Sequence, residues 1–322
     1  MTIWIVLAVV LVLALAALLL FRFIGKKFLK NLKRKNPGEK FTADFDVSFY
    51  QNSPLRKLAQ DGMDYMATLP HEDVTITSRD GLKLHATLFP AEGNTKNFVL
   101  GIHGFQSHAW NEFGPHIAYY RSLGFGMLLP DDRAHGLSEG PYITMGVKDR
   151  MDCVDWAKYL VSRFGPDTRI LLHGVSMGGA TVVSASGEAD LPPQVFGVVS
   201  DCGFTCVKEA FAFQVHSIFH MPPAIPVMVS QWYAKHRAGF DFAEARPIDQ
   251  VRKARVPILF AQGEEDCIVP AWMAQKLYDA CTSPKKLLLV PGASHAESVA
   301  IDPEGYHKAI EQLFGLASVS KP

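Results

Sequence analysis

The 322-residue chain lacks an excess of charge of either sign, because 32 Lys and Arg residues balance 32 Asp and Glu residues. Proteins that bind nucleic acid through its phosphates usually carry a clustered basic surface, and the sequence contains no nucleic-acid-binding motif. We therefore expect no nucleic-acid partner.

Cysteine is also scarce and odd in number. The five cysteines are Cys153, Cys202, Cys206, Cys267 and Cys281. Four of them lie within or beside predicted strands or helices, which favours reduced, buried thiols over a disulfide framework. Cys202 and Cys206 are not accompanied by a second Cys/His pair at metal-binding spacing, so we predict no zinc site.

Motifs for nucleotide cofactors are missing as well. The glycine-rich segments match neither a P-loop nor the G-x-G-x-x-G dinucleotide fingerprint, and no repeat or low-complexity tract is visible. The sequence therefore predicts no nucleotide or other cofactor.

What the chain does have is an unbroken apolar run at residues 3–20. About 20 such residues in a helix cross a hydrocarbon core of roughly 30 Å. A cleaved signal peptide is the alternative, but no Lys or Arg precedes the run, the run is too long, and no small-residue cleavage site follows. We predict a transmembrane signal anchor over residues 1–24.

A basic cluster follows the apolar run directly. It consists of Arg22, Lys26, Lys27, Lys30, Lys33, Arg34 and Lys35. The positive-inside rule places this cluster, and the body of the protein, on the cytoplasmic side of the cell membrane. Residues 25–70 then read as a basic juxtamembrane segment and linker, with a break at 36–38 and a helix over 54–68 that ends before Pro70.

Residues 71–317 alternate between buried strands and helices after an initial hairpin whose turn is at 79–81. The predicted strands are 74–77, 82–89, 97–102, 125–130, 168–173, 195–201, 257–262 and 285–290. The predicted helices are 110–123, 147–164, 177–187, 271–280 and 303–314. This alternation predicts an α/β fold with a mostly parallel sheet, helices on both faces, and ligands at the carboxyl ends of the strands.

One interval, about 205–255, contains no strand pattern. It is rich in aromatic and Met residues and is interrupted by Pro222, Pro223 and Pro226. We interpret it as an inserted helical cap that supplies apolar substrate-binding surface. Additional helices that only cover the core are the alternative.

The segment Gly174-x-Ser176-x-Gly178 stands between a predicted strand and a predicted helix. This pattern is typical of a nucleophile elbow, a sharp turn that exposes a serine hydroxyl above a sheet. A serine hydroxyl needs a base, and the base needs an orienting acid. Asp266 and His295 each follow a later strand, in the order expected for such an acid and base.

The sequence also offers other acids that could orient the base. Asp201 ends a strand and could orient the base on a related layout, while Glu264 and Glu265 adjoin Asp266. Asp266 is preferred, because the two glutamates more simply shape or solvate the loop.

Two backbone N–H groups should stabilise a tetrahedral oxyanion. Met177, at the start of the elbow helix, supplies one candidate. Phe105, in the loop after the strand 97–102, supplies the other, and His103 reads as a loop-packing residue. The charged loop 131–138 either binds substrate or forms an internal network that supports the loops, and the second interpretation is favoured.

At these residues the chain resembles the α/β-hydrolase superfamily, and more narrowly the membrane-anchored bacterial serine hydrolases grouped with the serine aminopeptidase-like and Bem46-like proteins. The motifs that carry the resemblance lie at 103–105, 131–140, 173–179, 200–204, 263–266 and 294–297. The resemblance covers about residues 74–316 and implies a hydrolase of unspecified substrate. Ala134 and Gln262 replace the family's usual Gly and His, at positions expected to lie away from the chemistry.

The expected function is hydrolysis of a carboxylic ester through an acyl-serine intermediate, on a small-molecule or lipid-like acyl substrate. Thioesterase activity is one alternative. Amidase or aminopeptidase-like activity is another, for which Asp241 or Glu244 could hold a substrate amine. A catalytically inactive, membrane-tethered binding protein is the alternative from another class.

Overall fold

A computed structural model describes residues 2–34, 53–91, 93, 95–244 and 246–316 of the chain. The break expected at 36–38 lies outside these residues. The first helix, α1 (Thr2–Leu32), carries the apolar run and the first part of the basic segment as one helix of 31 residues. It is long and apolar enough to cross a membrane, and residues 3–20 are all exposed.

The remaining described α-helices surround one sheet. They are α2 (Pro54–Thr68), α3 (Ala109–Ser122), α4 (Asp149–Phe164), α5 (Met177–Ser186), α6 (Val207–Phe219), α7 (Ala224–Tyr233), α8 (Pro247–Gln250), α9 (Ala271–Ala280), α10 (Ser298–Ile301) and α11 (Pro303–Phe314). The strands are β1 (Glu72–Thr77), β2 (Lys83–Phe89), β3 (Asn97–Ile102), β4 (Gly126–Pro130), β5 (Arg169–Val175), β6 (Val195–Asp201), β7 (Ile258–Gly263) and β8 (Lys285–Val290).

The eight strands form one sheet in the order β1-β2-β4-β3-β5-β6-β7-β8. The β1–β2 and β2–β4 pairs are antiparallel, and all pairs from β4–β3 to β7–β8 are parallel. The predicted α/β-hydrolase fold, with its mostly parallel sheet, is confirmed. Because parallel strands share one carboxyl edge, the loops after β3, β5, β6, β7 and β8 all meet there.

Alternating side chains bury both faces of this sheet. On β5, Leu172 packs in the cluster that contains Trp156 of α4 and Val182 of α5, whereas Leu171 packs in the opposite cluster with Phe113 of α3. The near-continuous apolar strands of the sequence are therefore explained by helices on both sides.

A third apolar cluster lies over the carboxyl edge. It joins Leu32 at the end of α1, Met177, and Val207 of α6, and Phe105 packs against it. The described residues between β6 and β7 form helices and turns, among them α6, α7 and α8. The first helix and this helical segment thus enclose the same edge of the sheet.

Candidate active site

Ser176 occupies a strained turn between β5 and α5. Its backbone angles are φ 56° and ψ −114°, a region that a residue with a Cβ rarely adopts. The Ser176 N–H donates to the Asp201 carbonyl at 2.8 Å, and the Ser176 carbonyl accepts from the Ala180 N–H at 3.0 Å. These two bonds hold the turn that the Gly-x-Ser-x-Gly pattern predicted.

The two glycines of the pattern are needed for close approach. A Cβ on Gly174 would overlap the carbonyl of Gly178, and a Cβ on Gly178 would overlap the carbonyl of Ile102. Glycine therefore lets α5 begin directly against the ends of β3 and β5.

The structure brings Ser176, His295 and Asp266 together. Ser176 Oγ lies 2.9 Å from His295 Nε2, and His295 Nδ1 lies 2.7 Å from Asp266 Oδ2. Because Nδ1–H donates to the carboxylate, the lone pair of Nε2 faces the Ser176 hydroxyl. In this arrangement the imidazole can accept the hydroxyl proton without moving.

The Asp266 carboxylate is surrounded by donors. The N–H groups of Ile268 and Val269 each donate to Oδ1 at 2.8 Å, and Gln262 Nε2 donates to Oδ2 at 2.7 Å. Hydrogen bonds to the charged form of a carboxyl group favour that form. The expectation that Gln262 lies away from the chemistry is wrong, because its side chain turns back from the end of β7 to the carboxylate.

The competing acids have other environments. Glu264 and Glu265 are exposed, and their N–H groups donate to the carbonyls of Val290 and Ala293, which ties the Asp266 loop to the His295 loop. Asp201 is buried beside the Tyr306 hydroxyl, and burial raises the pKa of Asp201 to about 7. Its Oδ1 has no hydrogen-bond partner among the described residues.

Both backbone groups expected to bind an oxyanion belong to elements that meet at Ser176. Met177 is the first residue of α5, where an N–H has no acceptor within its own helix. Phe105 lies in a turn closed by a 3.2 Å bond from the Ser107 N–H to the Gly104 carbonyl. A Cβ on Gly104 would lie 3.3 Å from Ser176 Cβ, so this turn adjoins the elbow.

The loop after β4 supports the turn that contains Phe105. Buried His135 accepts from the Gln106 N–H at 3.1 Å through Nε2, and its Nδ1–H donates to the Arg133 carbonyl at 3.0 Å. Burial lowers the pKa of His135 to about 3, so the ring is neutral and Nε2 can accept. Gln106 Nε2 also donates to the Asn31 carbonyl of α1 at 2.6 Å.

The rest of that loop is an internal network. Arg133 donates to both oxygens of Asp152 at 2.7 Å, and the fully buried His103 accepts from the Asp132 N–H at 3.0 Å. These contacts agree with the interpretation of residues 131–138 as an internal network that supports the loops, and with that of His103 as a loop-packing residue.

Two neighbours of the site were not singled out by sequence reasoning. Cys202 Sγ lies 4.0 Å from His295 Nε2, and burial raises the pKa of this thiol to about 12. A Cβ on Gly104 would lie 3.4 Å from Glu112 Oε1 as well as near Ser176, and burial raises the pKa of Glu112. Cys202 lies within the 200–204 motif, but nothing in that motif indicates its contact with His295, and Glu112 belongs to none of the motifs.

Cys202, Asp266 and His295 bring three possible metal-ligand atoms within 4.8 Å of one another. The two ring nitrogens of His295 already face Asp266 and Ser176. This donor set therefore fits a hydrogen-bonded hydrolase site better than a metal centre.

The sheet order, the elbow and the loops at its carboxyl edge define a hydrolase of the α/β class. The chain belongs to the alpha/beta hydrolase family, whose sequence model matches residues 99–309.

The chain is also similar to individual proteins. It is 26% identical over 261 residues to the membrane protein YNL320W of Saccharomyces cerevisiae, covering 76% of this chain and 80% of the yeast protein. An esterase of Pyrococcus furiosus shares the fold with a TM-score of 0.62 at 21% identity, covering 78% and 92% of the two chains. A puromycin-hydrolyzing peptidase of Mycobacterium tuberculosis does so with a TM-score of 0.59 at 20% identity, covering 77% and 40%.

Proposed function

We propose that this protein is a serine hydrolase that cleaves a carboxylic ester through an acyl-serine intermediate. Ser176 is the nucleophile, His295 the general base and acid, and Asp266 the residue that orients the imidazole. The observation that carries the proposal is the pair of short contacts that joins the three side chains, 2.9 Å and 2.7 Å long.

The chemistry follows from this geometry. Ser176 Oγ attacks the ester carbonyl carbon while its proton passes to His295 Nε2, and the N–H groups of Phe105 and Met177 stabilise the resulting oxyanion. The intermediate collapses, and the alkoxide leaves with the proton from His295. Water then attacks the acyl-serine, gives its proton to His295, and releases the carboxylic acid as Ser176 regains its proton.

The surroundings favour an apolar acyl group. Met177 lies in the apolar cluster that also contains Phe204, Val207 and Val269, and Phe105 packs against that cluster. An apolar chain that reached the Ser176 hydroxyl would therefore lie among aliphatic and aromatic side chains. The esterase among the structural neighbours supports ester hydrolysis, without indicating the acyl group.

A second candidate, hydrolysis of an amide beside a free amine, is favoured by Glu112. Its Oε2 lacks a hydrogen-bond partner within the described part of the chain, and its Oε1 lies, like Ser176 Cβ, within 3.4 Å of the position that a Cβ on Gly104 would take. The residues expected to hold an amine are engaged elsewhere, because Asp241 accepts from Lys235 Nζ at 2.8 Å and Glu244 accepts from the Asp241 N–H at 3.1 Å. Turnover of aminoacyl anilides beside esters separates the two candidates.

We also propose a three-part organisation: a membrane anchor at 1–24, a basic juxtamembrane segment and linker helix at 25–70, and a hydrolase domain at 71–317 with its cap at about 205–255. The basic residues after the apolar run favour a cytoplasmic hydrolase domain. A cysteine in place of the exposed Asp167 should react with a membrane-impermeant maleimide only after the cells are permeabilised. Reaction in intact cells would reverse this orientation.

The test of the hydrolase proposal is labelling with a fluorophosphonate, which reacts with activated serines. We expect labelling of the wild type and of Ser122→Ala, an exposed control, and none of Ser176→Ala. Removal of the nucleophile should also lower kcat by about 10⁶-fold. Folded wild-type protein that neither labels nor turns over an ester would instead favour a membrane-tethered binding protein.

A further inference from the structure

An apolar stripe on α7 is largely exposed in the described structure. It consists of Met221 in the preceding turn and of Ile225, Met228 and Trp232, which are 48%, 55%, 60% and 42% exposed. Residues separated by three or four positions share one face of a helix, so the three helical members form a continuous strip. A strip of large apolar side chains in water indicates an interaction surface.

One end of the stripe, at Trp232, lies against α1. The ring of Phe21 lies 5.3 Å from the ring of Trp232 and 5.5 Å from that of Tyr233. Gly25 permits this contact, because a Cβ there would overlap the Tyr233 ring. The carboxyl end of α7 is therefore packed against α1 where the apolar run ends.

Ring contacts also order the segment along α1. Phe28 contacts Phe211 of α6 and Phe242 beyond α7, with ring centroids 5.9 Å and 6.1 Å apart. Phe28 lies about 10 Å from Phe21 along the helix, on the side of the hydrolase domain. Trp232 and Tyr233 therefore contact α1 closer to the apolar run than Phe211 and Phe242 do.

The level of Phe21 is the level of the membrane surface if residues 3–20 span the bilayer. The basic residues Arg22, Lys26 and Lys30 follow within the next turns, where lipid headgroups would lie. Trp and Tyr side chains favour this depth, and a helix with one apolar face lies stably in the interface. The occupant that fits the stripe is therefore the bilayer that surrounds the anchor of the same chain.

We propose that the hairpin formed by α6 and α7 is a second membrane-contacting element, with its α7 stripe immersed in the cytoplasmic leaflet. α6 begins at Val207, in the apolar cluster that contains Met177 and Leu32. The hairpin thus connects the bilayer surface to the apolar cluster beside Ser176. This inference rests on the proposed ester hydrolysis. It assigns the substrate to membrane-resident amphiphilic esters that enter from the leaflet beside α1.

The experiment uses the full chain in phosphatidylcholine and phosphatidylglycerol vesicles, with an environment-sensitive fluorophore on Met228→Cys. Leu18→Cys within the span is the positive control. Asp167→Cys, in the loop before β5 at the opposite edge of the sheet, is the negative control. Unmodified protein gives the background, since four native cysteines are buried and Cys267 is partly buried.

We expect lipids with a quencher in the acyl chain to reduce the fluorescence of the label at 228 at least half as strongly as that at 18. Quenching at 228 no stronger than at 167 overturns the proposal. A label at 228 that resists both lipid and aqueous quenchers would show a protein partner instead and would also overturn it.

A second measurement addresses the substrate. Met228→Glu should lower the ratio of the hydrolysis rate of a vesicle-embedded long-chain ester to that of soluble p-nitrophenyl acetate by about tenfold, because a carboxylate resists burial in the leaflet. An unchanged ratio rejects substrate delivery from the leaflet. Because quenching requires no turnover, it tests whether the hairpin contacts the membrane even if the proposed hydrolysis is wrong.

Discussion

Asp201, at the end of β6, and Asp266, in the loop after β7, lie at the same edge of the sheet, but their hydrogen-bonding environments differ. Asp266, after β7, receives two backbone N–H groups, one amide and one imidazole N–H. Asp201, at the end of β6, is equally buried, yet its Oδ1 has no partner among the described residues and its pKa rises to about 7.

The difference shows what makes a buried carboxyl group suitable for orienting a base. Burial alone disfavours the charged form, as at Asp201, whereas convergent donors favour it. A charged carboxylate can fix one tautomer of His295 and stabilise the imidazolium that forms during catalysis. Both residues lie at the same edge of the sheet, so position alone does not distinguish the orienting acid from the other carboxyl group.

The comparison predicts its largest effect for Asp266→Asn. We expect kcat for p-nitrophenyl butyrate to fall by about 10⁴-fold, because an amide no longer selects the tautomer whose Nε2 accepts from Ser176. Initial rates at a pH near 8, with circular dichroism as the check on folding, measure the change.

Asp201→Asn is the matched control and should keep kcat within about tenfold of the wild type, an allowance for the approximate strength of nearby charge effects. If Asp201→Asn abolished turnover while Asp266→Asn preserved it, the assignment of the orienting acid would be reversed.

A smaller effect is expected at Gln262, which we infer to be a positioning residue. Gln262→Leu removes one donor to Asp266 Oδ2 and should lower kcat by about tenfold with KM little changed, since a hydrogen bond to a charged group contributes about 1.5–3 kcal/mol. Gln262→His, the residue usual in related hydrolases, retains an N–H donor and should recover most of the activity. Equal losses in both variants would point to packing rather than to this hydrogen bond.

The last effect concerns the pH dependence of stability rather than turnover. The folded pKa of Asp201 is raised to about 7, so the stabilisation that its proton provides is present in full below pH 4 and is lost as the pH rises through 7. Thermal unfolding in detergent should show a steeper loss of stability between about pH 4 and 7 for the wild type than for Asp201→Asn. The difference corresponds to a few kcal/mol at most, on the order of 1.4 kcal/mol per pKa unit. Parallel profiles would mean that Asp201 titrates normally.

Much of the fold was predictable from local patterns. The apolar runs of β3, β6 and β8 and the elbow at Ser176 are written in adjacent residues, and the structure places these elements within a few residues of their predicted bounds. A strand buried on both faces needs a continuous apolar run, and a sharp turn needs small residues at set positions.

The finer contacts of the site were less accessible. Gln262 was wrongly expected to lie away from the chemistry, because nothing in a Gln-Gly pair indicates where the amide will point. Cys202, after β6, and Glu112, on α3, lie near His295 and Gly104 through the packing of separate elements. Such contacts depend on the relative positions of elements far apart in the chain, which local propensity does not specify.

By itself, the sequence determined the order of strands and helices, the strained position of Ser176, and an apolar helix of membrane-spanning length. Only the tertiary structure decided which of two carboxyl groups faces His295, which amide supports it, and where the carboxyl-terminal end of α1 docks. The physical reason is range: periodicity and turn chemistry act over a few residues, whereas a hydrogen bond between positions 266 and 295, or a ring contact between positions 21 and 232, exists only once the sheet and its helices have packed.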